Sequence, residues 1–341
     1  MLLREGFDRA LLIVVNWQSK RVLVTGAGGF IGSHLVERLV EVGANTRALV
    51  HYNGNGGWGW LDQSPRKNEV EVILGDICDP DSLQRAIAGV DVVFHLAALI
   101  AIPYSYHAPL SYIRTNIEGT ANVLQSAIRN NAGLVVHTST SEVYGTAQQV
   151  PISETHPLQG QSPYSASKIG ADKIAESFHL SFGLPVITVR PFNTYGPRQS
   201  ARAVIPTIIS QALTQDEIRL GSLKPTRDLN YVADTVAGFI AAAESADAVG
   251  DVINLGTGRE TSIEELAAMI LEITGRNVPI KTDDERVRPE TSEVERLCAD
   301  NTRARRLLNW QPHHSLEDGL AKTIEWMKQN HDRYQPGRYT I

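Results

Sequence analysis

The chain has 341 residues, 42% of them hydrophobic and 21% charged, enough to bury one large core and a second lobe. Its 32 basic and 38 acidic side chains give a formal charge of −6, which leaves no broad basic surface for a nucleic-acid backbone; a local arginine cluster that grips one diphosphate is still compatible with it. Two isolated cysteines, Cys78 and Cys298, lack the spacing of a metal site or a disulfide framework and fit a reducing cytoplasm.

In chain order, the apolar run Leu11–Val15 is too short to span a bilayer, and Met1–Ser19 is predicted to be an N-terminal appendage. Arg21–Thr25 then reads as a strand, and His34–Val42 as a helix with Leu35, Val36, Leu39 and Val40 at helical spacing. Thr46–Val50, Val70–Leu74, Val90–His95 and Leu134–His137 read as strands; Ser82–Ala88, Pro109–Arg129 and Tyr164–Ser181 read as helices. Val186–Arg190 and Val252–Leu255 look like late strands of the same sheet. Strand alternating with helix predicts an α/β fold, a doubly wound parallel sheet of Rossmann type. Residues 196–228 and 259–340 carry more Pro, Arg and irregular sequence. The expected division is an appendage over 1–19, a dinucleotide-binding domain over 20–190 plus about 229–258, and a smaller discontinuous lobe over about 191–228 plus 259–341. A ligand is expected between them, at the C-terminal ends of the strands.

Between the first strand and the first helix stands Thr25-Gly26-Ala27-Gly28-Gly29-Phe30-Ile31-Gly32, with a GxxGxxG spacing. Gly26 allows a tight turn, Gly29 lets backbone approach a pyrophosphate, and Gly32 lets helix pack on strand. The helix start at Phe30 and Ile31 then offers N–H groups to the phosphates. After the second strand an acidic residue would select NAD and an arginine NADP; Val50-His51-Tyr52-Asn53 carries neither, so both cofactors stay open, with the balance towards NAD. Asp76, in Gly75-Asp76-Ile77, either accepts from the adenine amino group or caps a turn. His95-Leu96-Ala97-Ala98 ends the fourth strand with small residues beside which a cofactor can lie.

Tyr164 and Lys168, at i and i+4, share one helical face. A free phenol, with a pKa of about 10, is a poor base at neutral pH; the Lys168 ammonium and a nearby nicotinamide cation are expected to favour phenolate, so that Tyr164 takes a hydroxyl proton while hydride leaves the same carbon. Thr140, after the strand Leu134–His137, supplies a third hydroxyl. Arg227 and Arg288 either grip a diphosphate or pair on the surface with Asp228 and Glu290. Trp58 and Trp60 either cover a ligand or pack on the body.

Taken together, TGAGGFIG, HLAA, STSEVYG, YSASK, RPFNTYGPRQ and TRDLNYVAD resemble the extended short-chain dehydrogenase/reductases that act on nucleotide sugars, over nearly the whole chain from about Lys20. The resemblance implies oxidation at sugar C4 as the shared first step, followed by epimerisation, decarboxylation or 4,6-dehydration. It places Glu142 where dehydratases carry the base for C5. Ser141 stands where glucose dehydratases carry an Asp, as it does in GDP-mannose dehydratases, so the acid for the C6 hydroxyl is left open. Uronate decarboxylases share a similar TSEVYG. By resemblance the Asn193 amide contacts the sugar diphosphate, and two long helices from each subunit, Pro109–Arg129 and Tyr164–Ser181 here, form a homodimer in which Ile169, Ile174, Phe178 and Leu180 supply apolar contacts. The segments 58–62, 101–107, 157–163 and 292–297 resemble the UDP-N-acetylglucosamine 4,6-dehydratases of legionaminic-acid-type pathways. A nucleotide-sensing relative without chemistry is disfavoured, because Thr140, Tyr164 and Lys168 are all present.

Overall fold

A computed structural model of the chain describes residues 16–283, 286 and 289–334. Most of the expected appendage and Arg288 therefore lie outside the described residues. The fold is built on seven strands: β1 (Arg21–Thr25), β2 (Asn45–His51), β3 (Glu71–Gly75), β4 (Val92–His95), β5 (Leu134–Thr138), β6 (Val186–Pro191) and β7 (Val252–Leu255). Their order is β7-β6-β5-β4-β1-β2-β3, and every neighbouring pair is parallel. This is the Rossmann-type α/β sheet expected from the alternating pattern.

The strands are apolar nearly throughout because both sheet faces are covered. Side chains of β1 show the period of two: Val22 and Val24 join one core with Leu35 and Leu39, while Leu23 joins the other with Leu83, Val123 and Ala175. The first core packs under α1 (Phe30–Glu41), and the second under α2 (Pro80–Ile87), α3 (Gly119–Arg129) and α4 (Pro163–Phe182). Chain order reverses between β1 and β4, so a crevice opens where Thr25 pairs with His95.

Local chemistry sets the ends of α4. Ser162 and Ser165 form a reciprocal capping box, Pro163 starts the helix, and Gly183 closes it at φ +70°. The helix expected over Pro109–Arg129 is not continuous. Ile113–Glu118 forms a π-helical turn between Pro109–Tyr112 and α3, and that widened turn carries Asn116.

The stretches read as irregular contain four helices: Val204–Thr214, Ile263–Thr274, Thr302–Leu308 and Leu316–Gln329. The pattern was present, since Ile205, Ile208, Ile209 and Ala212 recur at helical spacing and are buried. Among the described residues, three two-stranded pairings lie in or beside these regions: Thr194–Tyr195 with Asn230–Tyr231, Thr226–Arg227 with Thr261–Ser262, and Ile218–Leu220 with Ile280–Thr282. Among the described residues no helix is long and apolar enough to cross a membrane.

Candidate active site

The Gly-rich turn sits at the crevice. Gly26 has φ +69°, and a Cβ there would meet the Ala97 nitrogen at 2.8 Å; a Cβ on Gly32 would overlap the Gly26 carbonyl. Gly29 caps α1 with no side-chain hydrogen bond, so the first-turn N–H groups of Phe30 and Ile31 face the turn. These are the features that a pyrophosphate requires, a side-chain-free approach and a helix N-terminus, and the residues fit a dinucleotide. Phe30 and Ile31 pack partly into the first core. Leu96, Ala97 and Ala98 are half-buried opposite.

Thr25 ties the two sides of the crevice. Its hydroxyl accepts from the N–H groups of Leu96 and Ala97, both at 3.1 Å, and so donates to His95 Nδ1 at 2.9 Å. His95 Nε2–H then donates to Thr120 Oγ1 at 3.0 Å, which itself donates to the Asn116 carbonyl. The network fixes one neutral tautomer, and burial holds the His95 pKa well below its ordinary value. Asn116 continues the chain to Ser167 Oγ at 2.9 Å, and Ser167 donates to the Tyr164 carbonyl. Thr25, His95, Asn116 and Thr120 were not singled out by sequence reasoning. Thr25 and His95 are polar ends of apolar runs, whereas nothing in the sequence around Asn116 and Thr120 marks them.

Asp76 shows its turn role: Oδ1 accepts from the Cys78 N–H at 2.8 Å, while Oδ2 lies 3.9 Å from His51 Nδ1. Ile77 is buried against Gly119. Trp58 and Trp60 pack on the body. Trp58 lies against the first core, and the Trp60 ring meets Trp326 edge-on at 5.5 Å with the Arg333 guanidinium 4.7 Å from its centre.

Across the crevice, α4 presents Tyr164 and Lys168, both buried. The Thr140 side chain and the Glu142 charge are both near enough to act on the Tyr164 phenol. Thr140 also accepts from the Glu142 N–H at 3.2 Å, which caps the short turn Ser141–Tyr144 and aims Glu142. Ser141 is buried and Glu142 half-buried. The expected lowering of the Tyr164 pKa is not produced by the protein alone. Burial raises it well above the phenol range, the Glu142 charge adds to this, and only the Thr140 side chain opposes it. Lys168 donates to the Thr138 carbonyl at 2.6 Å, and burial pulls its pKa down to about 8 against the Asp172 charge.

Beneath the pair lies a charge cluster that sequence reasoning missed. Asp172, one turn beyond Lys168, accepts from His137 Nε2 at 3.1 Å, Ser139 at 2.7 Å and Arg190 at 2.9 and 3.2 Å. Burial raises its pKa, but His137 and Arg190 outweigh that and bring it to about 2. Arg190 reaches on to the Tyr144 hydroxyl at 2.9 Å. The spacing Tyr164, Lys168, Asp172 was the available signal.

The further residues expected at the substrate are Asn193, Arg227 and Arg288. The Asn193 amide oxygen is buried with no protein partner among the described residues, as a ligand contact would leave it. Arg227 does not pair with its neighbour Asp228. It pairs with Glu293 at 3.0 Å, while Asp228 is buried and accepts from Thr257, Gly258 and Ala299. Arg288 falls outside the described residues.

A glycine cradle at the switch point of a doubly wound sheet, facing a Tyr–Lys helix and a strand-end threonine, defines the short-chain dehydrogenase/reductase class. A sequence profile described as GDP-mannose 4,6 dehydratase matches residues 23–323. The chain belongs to that family of nucleotide-sugar dehydratases, epimerases and decarboxylases, within the extended short-chain dehydrogenase/reductases. It is 35% identical to a dTDP-glucose 4,6-dehydratase of Streptomyces griseus, over 92% of this chain and 96% of the relative. It is 34% identical to a UDP-N-acetyl-alpha-D-glucosaminuronate decarboxylase of Bacillus cytotoxicus, over 91% and 98%. The crystal structure of DesIV, a dTDP-glucose 4,6-dehydratase from Streptomyces venezuelae with NAD bound, superposes with a TM-score of 0.82 at 31% identity, covering 92% of this chain and 99% of that one.

Proposed function

We propose that the chain is an NAD-dependent nucleotide-sugar 4,6-dehydratase and that its substrate is UDP-N-acetylglucosamine. The observation that carries the reaction type is Glu142: a half-buried carboxylate whose backbone is capped by Thr140 and whose charge acts on Tyr164. C4 oxidation alone, as in an epimerase, needs no such second base; uronate decarboxylases share a similar TSEVYG, and against them the reading leans on the segments named next. The substrate assignment rests on the four segments that resemble UDP-N-acetylglucosamine 4,6-dehydratases. NAD is held by Gly26, Gly29 and Gly32 with Leu96, Ala97 and Ala98, and Asp76 and Ile77 border the adenine end.

When bound, NAD takes up and returns the sugar hydride and brings a positively charged ring beside the phenol, the contribution that the protein alone lacks. Tyr164 takes the C4 hydroxyl proton, with Thr140 orienting that hydroxyl. Lys168 sets the charge beside the phenol and holds the cofactor. Glu142 removes the C5 proton, which the C4 ketone has made acidic. The same proton passes from Glu142 to the C6 hydroxyl, which leaves as water; the C5–C6 double bond left behind takes the returned hydride at C6 and a proton from solvent at C5, and the product is a 4-keto-6-deoxy sugar nucleotide. Ser141, where glucose dehydratases place an acid, carries an alcohol, which is too weak an acid for that role. Asn193 and Arg227 hold the diphosphate, with Arg288 assigned there from the sequence alone.

The exposed apolar residues Leu110, Ile113, Leu180 and Phe182 support a homodimer through these helices. Of the contacts expected from sequence, Leu180 is exposed, but Ile169, Ile174 and Phe178 pack partly into the subunit's own cores. The two free cysteines fit a cytoplasmic enzyme.

The deciding experiment is mass spectrometry of the products from a panel of UDP-, GDP- and dTDP-hexoses and uronates in deuterium oxide. Loss of one water from UDP-N-acetylglucosamine, with solvent deuterium incorporated, is expected. Carbon dioxide release from a uronate would replace this reading with a decarboxylase, and C4 inversion without loss of water would replace it with an epimerase.

A further inference from the structure

Three segments far apart in sequence meet beside Glu142 and Tyr164, and one side chain joins them. Gln161 stands just before the Ser162 cap of α4. Its amide oxygen accepts from the Thr146 N–H, on the loop that leaves Glu142. Its amide nitrogen donates to the carbonyls of Thr291 at 3.2 Å and Glu293 at 3.4 Å. All three partners are backbone groups of fixed polarity, so the orientation of the amide is decided. Gly145, at φ +64°, gives the amide room, since a Cβ there would meet Gln161 Oε1 at 2.5 Å.

The contact is reinforced on both sides. Ser292 Oγ donates to the Gln161 carbonyl at 2.7 Å, so the Tyr106 phenol, 2.6 Å away, is the donor to Ser292. Thr146 Oγ1 lies 3.4 Å from the Glu293 carbonyl and 3.3 Å from the Glu295 nitrogen. Glu293 then pairs with Arg227. An unbroken path therefore runs from the Glu142 loop through Gln161 and residues 291–295 to Arg227.

We propose that Gln161 is a positioning residue that couples the diphosphate grip of Arg227 to the placement of Glu142, with Tyr106 and Ser292 holding residues 291–295 against it. The inference rests on the dehydratase reading. In that reading one substrate spans both ends, its hexose at Glu142 and its diphosphate at Arg227, so their separation has to be held. The two halves of the amide have separable jobs. The oxygen holds the catalytic loop, and the nitrogen holds the segment that carries Glu293.

Gln161→Glu separates them, because a carboxylate still accepts from Thr146 but faces two carbonyls where it cannot donate. The expected result is kcat within about twofold of the parent and KM for the nucleotide sugar raised about tenfold, the effect of losing one or two hydrogen bonds. Tyr106→Phe and Ser292→Ala should raise KM in the same way. Gln161→Ala loses both halves, so kcat and solvent-deuterium exchange at C5 should fall as well. UDP affinity by calorimetry, which needs no turnover, should weaken about tenfold in Gln161→Glu. A parent enzyme that dehydrates its substrate, with unchanged UDP affinity and KM in Gln161→Glu, would overturn the coupling and leave the function standing. A parent that dehydrates no nucleotide sugar would overturn the function, and UDP affinity would still judge the link to Arg227. Activity losses that follow only the melting temperatures of the four variants would also refute it.

Discussion

Lys168 is predicted to weaken the fold that it serves, and replacing it with methionine should stabilise the protein while abolishing turnover. The ammonium is 4% exposed, and its hydrogen bond is to the Thr138 carbonyl at 2.6 Å. Burial lowers its pKa from 10.5 to about 8, with Asp172 opposing. That displacement corresponds to about 3 kcal/mol against the charged form. Methionine has a similar length and no charge, but it leaves the Thr138 carbonyl unpaired, at about 1–2 kcal/mol. The net gain at neutral pH is then about 1–2 kcal/mol. With an unfolding entropy of about 0.7 kcal/mol/K for 341 residues, the melting temperature should rise by about 1.5–3 °C. The pH dependence tests the cause. A lysine with a depressed folded pKa costs nothing above about pH 10.5, where both states are neutral. The cost grows as pH falls through the window to about 8 and is complete below it. Urea unfolding of parent and Lys168→Met without added dinucleotide, at pH 7 and again near pH 10.5, measures the difference. A variant less stable than the parent at pH 7, or equally stabilised at both pH values, would refute the reasoning.

Glu142→Gln keeps shape and removes the base, so dehydration and C5 deuterium exchange should fall by about 10²–10⁴; parent-rate dehydration would remove Glu142 from the mechanism. Tyr164→Phe should block the earlier C4 step, and any 4-keto product from it by mass spectrometry would contradict the assignment. Asp172→Asn leaves Arg190 uncompensated and should cost about 3–5 kcal/mol at pH 7. Because the Asp172 pKa is depressed to about 2, its contribution is present above about pH 4 and is lost as pH falls through 2, so parent and variant should converge in acid melts. Gly32→Ala drives a methyl into the Gly26 carbonyl, so dinucleotide affinity by calorimetry should drop by more than tenfold; unchanged affinity would show that the turn can relax.

What the chain declares locally was legible before folding. The GxxGxxG turn works through adjacent backbone, and Tyr164 and Lys168 meet because an α-helix has 3.6 residues per turn, so both could be named from spacing. The seven strands announced themselves as apolar runs because both faces of a parallel sheet are buried. Partners could not be read the same way. Arg227 meets Glu293 rather than its neighbour Asp228, Trp60 rests on Trp326 rather than over a ligand, and Gln161 joins residues more than a hundred positions away. The burial that raises the Tyr164 pKa in the protein alone could not be read either, since the Lys–Tyr spacing is local but that burial is tertiary. Local motifs carry their geometry in a few φ/ψ values. Pairings such as Arg227 with Glu293 depend on how segments distant in sequence pack on each other, and no periodicity along the chain encodes that distance.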